Sequence, residues 1–231
     1  MKYNTFEKYA SVSRMNRFFV ATGTESGAKD LYRTNLQVAQ AFYPVLNLTE
    51  IFLRNSLYDC IERYFSNPDW IITEKNGFMS NISLAKSGYY LKNCVIKAEN
   101  KMVKKGITVS AGKVLSEQSF GFWTSLFEPA HYKLVGGSVI HSFPNKPSHI
   151  NRKAILLLLS NIRDFRNRIY HNEPVCFNGT SVDFSHAGQI RNDLFDMLGW
   201  MNPDIKRYVH RFDTIDKKIN SYTKKASFSD A

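Results

Sequence analysis

The chain has 231 residues and carries 31 Lys plus Arg against 20 Asp plus Glu, a formal charge of +11. With 43% hydrophobic and 22% charged residues, its composition is that of a folded protein and not of a disordered basic tail. Its 12 Gly and 7 Pro are too few for a turn-rich all-β fold, so one all-α domain over residues 1–231 is expected, and the charge excess points to a polyanionic partner.

The first expected helix covers residues 6–20 and closes at a loop over 23–27. A long helical segment follows over about 28–65, where Tyr32, Leu36, Ala39, Tyr43, Leu46, Glu50, Leu53, Leu57, Cys60 and Tyr64 recur at alternating steps of four and three. Pro44 removes a backbone donor and crowds the preceding turn, so this segment is expected to kink or split there. Another helix is expected over 81–105, ended by Gly106, with Leu91, Val95, Ala98 and Met102 on its core arc.

Lys86, Lys97, Lys101, Lys104 and Lys105 fall on a separate arc, and residues 86–113 hold seven lysines against a single acid, Glu99. That stripe reads either as a solvated face or as a track for a phosphate backbone. A shorter helix over 111–127 carries Phe120, Phe122, Trp123 and Phe127; core packing is their default, and base stacking the alternative for Phe122 and Trp123. Residues 128–148 read as a loop with at most one short helix. A strongly apolar helix over 149–172 comes next, and 188–222 supplies one or two more, broken near 199–203.

Several classes of function are excluded. Cys60, Cys94 and Cys176 form no CxxC pair and leave one thiol over in any disulfide scheme, so a reduced, cytoplasmic setting is expected. The six histidines do not fall at zinc-ligand spacings, and no metal or cofactor is expected. The longest apolar run, 154–159, is far short of the ~20 residues that cross a bilayer, and 18–21 is too short for a signal-peptide core, so no membrane role is expected. Walker, GxGxxG and GxSxG loops are absent.

The chemistry concentrates in Asp164-Phe165-Arg166-Asn167-Arg168-Ile169-Tyr170-His171-Asn172-Glu173-Pro174. Leu158, Ile162, Phe165 and Ile169 form the apolar stripe of this helix, and Arg166 falls between Ile155 and Leu159, where a guanidinium needs a partner. Glu173 precedes proline, so the helix should end near Asn172, with His171 in its last turn. Arg168 can pair with Asp164 one turn earlier. Five helical steps leave Arg166 and His171 about 140° apart on a straight helix; they converge only over a frayed end or across a dimer.

Glu50 interrupts the long apolar seam, with Arg54 one turn on and Asn55 beside it. Two readings stay open. Glu50 and Arg54 form an internal ion pair that orders the bundle, or the group reaches the motif helix and positions Arg166 or His171.

Arg166-Asn167-x3-His171 resembles the Arg-(Asn/Asp/His)-x3-His motif of HEPN-domain ribonucleases, and the string through Pro174 resembles the form found in bacterial Abi-like (abortive infection) proteins. Tyr32-x2-Asn35, Glu50-x3-Arg54-Asn55, Phe120-Gly121-Phe122-Trp123-x2-Leu126-Phe127 and Leu198-Gly199-Trp200 are similar to patterns of that family in the same order, covering nearly the whole chain. Asn172 departs from it, since many members carry a second histidine there.

The resemblance implies a HEPN-type helical bundle elaborated with extra helices, acting as a homodimer with its motifs facing one another. It implies a metal-independent endoribonuclease toxin of a phage-defence or toxin–antitoxin system. His171 would activate the ribose 2′-hydroxyl, Arg166 would hold the phosphate, and Asn167 would orient one of them. The alternative it carries is a catalytically silent RNA-binding protein that stores a structured antitoxin RNA.

Overall fold

In the computed structural model, which describes residues 1–229 and side chains through Tyr222, the N-terminal apolar pattern is divided by Ser11. α1 (Tyr3–Ala10) and α2 (Val12–Thr22) replace the single helix expected over 6–20. Ser11 takes a φ of 76°, outside the helical region, and its Oγ accepts the Arg14 N–H at 3.3 Å to begin α2.

α3 (Glu25–Phe65) runs for 41 residues with Pro44 inside it, so the split expected there does not occur. Gln40, whose carbonyl loses its donor to Pro44, is exposed, which leaves that carbonyl on the solvent side. The buried seam is Leu31, Asn35, Val38, Phe42, Val45, Thr49, Leu53, Leu57 and Cys60. Up to Tyr43 the expected seam is therefore one residue off, and Leu36 and Tyr43 are exposed at 45% and 54%. A strict seven-residue repeat drifts by ~20° per heptad on a straight helix. Over the four heptads from Tyr32 to Cys60 that drift approaches one residue's turn, which accounts for the offset.

α4 (Trp70–Thr73) and two 3₁₀ segments, Phe78–Ser80 and Ile82–Ser87, precede α5 (Tyr90–Lys104), so the helix expected from 81 starts nine residues late. Leu91, Val95, Ala98 and Met102 are buried, as their arc requires. The helix expected over 111–127 is two, α6 (Ala111–Glu117) and α7 (Phe120–Ser125). α8 (Pro129–Leu134) and a 3₁₀ segment, Ser138–Ser142, lead to α9 (Arg152–Tyr170). A hairpin of β1 (Phe177–Asn178) and β2 (Ser181–Val182), absent from the sequence expectation, comes before α10 (Ser185–Met201), α11 (Pro203–His210) and α12 (Ile215–Ser229). Helix makes up 74% of the structure and strand 2%, so the fold is all-α.

The chain gathers into two compact units: residues 1–47, 164–196 and 206–231, and residues 48–163 and 197–205. α3, α9, α10 and α11 each contribute residues to both. In the first unit Phe18 packs edge-on to Tyr32 at 5.2 Å and to Phe177 at 5.1 Å, and Phe42 meets Phe165 at 4.8 Å. Asp213, nearly buried, accepts Arg191 Nε at 2.7 Å and the Ile215 N–H at 3.0 Å, which starts α12. In the second unit Phe120, Phe122, Trp123 and Phe127 are all core, each worth about 2 kcal/mol in transfer terms. Arg152 donates to the Phe127 carbonyl at 2.7 Å, tying the start of α9 to that cluster.

His131, in α8 of the second unit, is 4% exposed, and burial pushes its pKa below the ordinary 6.5 against opposing pulls from the Ser125 backbone and Glu128. The unfolded chain takes up this proton as pH falls through about 6.5 while the fold resists it, so stability must decline below that pH. Melting temperatures taken from pH 7.5 to 5.5 are expected to fall more steeply for the wild type than for His131→Phe. Parallel curves would contradict the assignment.

Candidate active site

Phe165 sets the orientation of the motif. It is 1% exposed, packed on Phe42 and edge-on to His186 at 5.5 Å. Arg166, Asn167 and Arg168 are all half-buried. The Arg166 guanidinium carbon lies 4.0 Å from the centroid of the Tyr170 ring, one turn on, and its Nη1 donates a long bond of 3.5 Å to Asn167 Oδ1. Cation–π contact and hydrogen bond hold the guanidinium against its own helix.

The helix end is built by three bonds. The His171 N–H donates to the Asn167 carbonyl at 2.9 Å, Asn172 N–H to Ile169 at 3.0 Å, and Glu173 N–H to Arg168 at 2.8 Å. With Asn172 at a φ of 55°, this is a Schellman termination in which Asn172 occupies the left-handed position. Asparagine tolerates that conformation better than most side chains. The residue that departs from the resembled pattern therefore has a structural task here, ending the helix one residue beyond His171. His171 itself is exposed, and its imidazole makes no hydrogen bond among the described residues.

The segment that follows is held from three sides. Arg168 donates to the Pro174 carbonyl and lies 3.7 Å from Glu173 Oε2; it does not form the expected pair with Asp164. Arg14 donates to the Asn172 carbonyl at 3.1 Å, and Arg17 to the Gly179 carbonyl at 2.8 Å while lying over the Phe177 ring at 4.3 Å. Asn35, 4% exposed on α3, accepts the Val175 N–H at 2.8 Å. Arg14 and Arg17 were not singled out by the sequence: their spacing of three marks one helix face, but their partners lie some 160 residues away. Cys176 is fully buried and its thiol is pushed up to about 12 by that burial, so it is no nucleophile. Asp183 begins α10, accepting the Ser185 N–H at 2.7 Å, and this bond keeps its carboxyl below the usual range.

Glu50, Arg54 and Asn55 belong to the second unit. Arg54 Nε donates to Asn55 Oδ1 at 3.3 Å. The lysines also lie in the second unit, and Lys86, Lys97, Lys101, Lys104 and Lys105 are all exposed. Four of them, Lys97, Lys101, Lys104 and Lys105, line an open groove of about 570 Å³ with Asn93 and Asn100, while Lys86 stands outside it in the preceding 3₁₀ segment. Glu99, the single acid of the stripe, is engaged by Lys75 at 2.6 Å, and Lys101 pairs with Glu117. Phe122 and Trp123 are fully buried and offer no stacking surface.

Among the described residues no group of three or more His, Cys, Asp or Glu side chains is placed to hold a metal ion, and no helix is long and apolar enough to cross a membrane. No family model, curated protein or solved structure matches this chain.

Proposed function

We propose that the protein is a metal-independent endoribonuclease of HEPN type, a cytoplasmic homodimeric toxin of a phage-defence or toxin–antitoxin system. The observation that carries this reading is His171, exposed at the helix end with its imidazole unengaged, five residues beyond Arg166. An imidazole so placed can take the proton of a ribose 2′-hydroxyl. The 2′-oxygen then bonds to the adjacent phosphorus, the bond from phosphorus to the 5′-oxygen breaks, and that oxygen leaves with a proton from a second acid or from water. Arg166 stabilises charge on the phosphoryl oxygens. The products are a 2′,3′-cyclic phosphate and a 5′-hydroxyl, with no cofactor consumed.

The second reading, an RNA-binding protein that stores a structured antitoxin RNA without cutting it, is favoured by the groove on α5, whose four lysines offer positive charge suited to a phosphate backbone. Expression in a bacterial host separates the two. The wild type is expected to arrest growth and fragment RNA, and Arg166→Ala to do neither at equal protein level. Equal toxicity of the two proteins would remove the enzymatic reading.

A further inference from the structure

Beside the motif lies a row that ends on Arg166 and contains two rings the proposed cleavage step does not use. Tyr43 on α3 leaves 54% of its surface exposed, and Tyr170 on α9 leaves 42%. Their ring centroids are 5.9 Å apart with planes inclined by 32°, and the Arg166 guanidinium caps the row at 4.0 Å from Tyr170. Packing does not demand this arrangement. Phe42 and Phe165, each next in sequence to a member of the row, already join the same two helices at 4.8 Å, with both rings buried. Single exposed aromatics are ordinary on a protein surface, but two in tilted contact beside a cation form a surface with a defined chemistry.

We propose that Tyr43 and Tyr170 are a stacking platform for an unpaired base of single-stranded RNA, with Arg166 taking the phosphate next to it. The inference rests on RNA being the substrate and adds the form that RNA must have: bases splayed from any duplex. Every base presents a π face, so such a platform accepts any sequence, while a paired and stacked duplex cannot present one. The cation at the end of the row matches the charge that always accompanies a base, its backbone phosphate. Tyr43 then acts as a positioning residue, fixing the nucleotide beside the groups that react.

A short oligoribonucleotide carrying one 2-aminopurine, with every 2′-hydroxyl methylated so that cleavage is blocked, tests this. It is titrated into wild type, Tyr43→Phe and Tyr43→Ala at fixed salt, with thermal unfolding run in parallel. Wild type and Tyr43→Phe are expected to quench 2-aminopurine and bind alike, whereas Tyr43→Ala, folding normally, loses the quench and binds about tenfold more weakly. If wild type binds and Tyr43→Ala matches it in affinity and quench, the platform is overturned and RNA remains the substrate. If wild type binds no RNA, the substrate reading falls and the platform with it.

Discussion

Purified His171→Ala is expected to cleave RNA about 10²–10⁴-fold more slowly than wild type while melting at the same temperature. The two halves of that expectation come from one observation. The His171 side chain is exposed and bonded to nothing among the described residues, and the helix end around it is closed by backbone bonds that alanine makes equally well. Removing the imidazole therefore deletes a proton acceptor and no structural contact. Arg166→Ala should behave differently. Its loss also strips the cation from the Tyr170 ring, so a fall in cleavage comes with a small fall in melting temperature. A His171→Ala protein that cuts RNA at the wild-type rate would show that the imidazole is a surface group and nothing more.

Asn35→Leu is expected to lower stability by about 1–3 kcal/mol, because Asn35 Oδ1 satisfies the buried Val175 N–H and leucine leaves that donor with no partner. For a chain of this size the loss is read as a fall in melting temperature of about 2–10 °C. The damage should be local in origin. Val175 sits four residues beyond His171, in the segment that Arg14 and Arg168 also hold, so hydrogen exchange at the Val175 amide should accelerate before that of the α3 core. Cleavage should fall with it, since the histidine would no longer leave the helix on a fixed path. An unchanged melting temperature would mean that the Val175 amide finds another acceptor and that Asn35 is not the tie.

These two expectations differ in how far the sequence alone leads to them. Arg166, Asn167 and His171 are legible because a helix with a 3.6-residue apolar period and a proline-ended C-terminus places them by arithmetic. Of the expected stripe Ile162 and Phe165 are buried, with Ile155 and Leu159 beside it, whereas Leu158 and Ile169 are only half-buried. The long helix was legible as a helix but not in its rotation, because a seven-residue repeat over four heptads turns the seam by nearly one residue. That error matters, since it hides Tyr43 among core positions when 54% of it faces solvent.

Ser11 and Asn172 mark the other limit. Each ends or starts a helix through a single residue of positive φ, a choice made by backbone geometry and local hydrogen bonds to which apolar periodicity is blind. The braces on the motif were out of reach for a further reason: Arg14 and Asn35 meet residues 158 and 140 positions away. Spacing on one helix carries no information about such partners.

The central claim is that the protein cuts RNA through the ribose 2′-hydroxyl without a metal. It is tested most directly by incubating the purified protein, in excess chelator, with an oligoribonucleotide it cleaves and with the same strand carrying one 2′-deoxynucleotide on the 5′ side of the cleaved bond. The account predicts a 2′,3′-cyclic phosphate and a 5′-hydroxyl from the first strand and an intact second strand. Cleavage of the deoxy-substituted bond, or activity that the chelator abolishes, would contradict it.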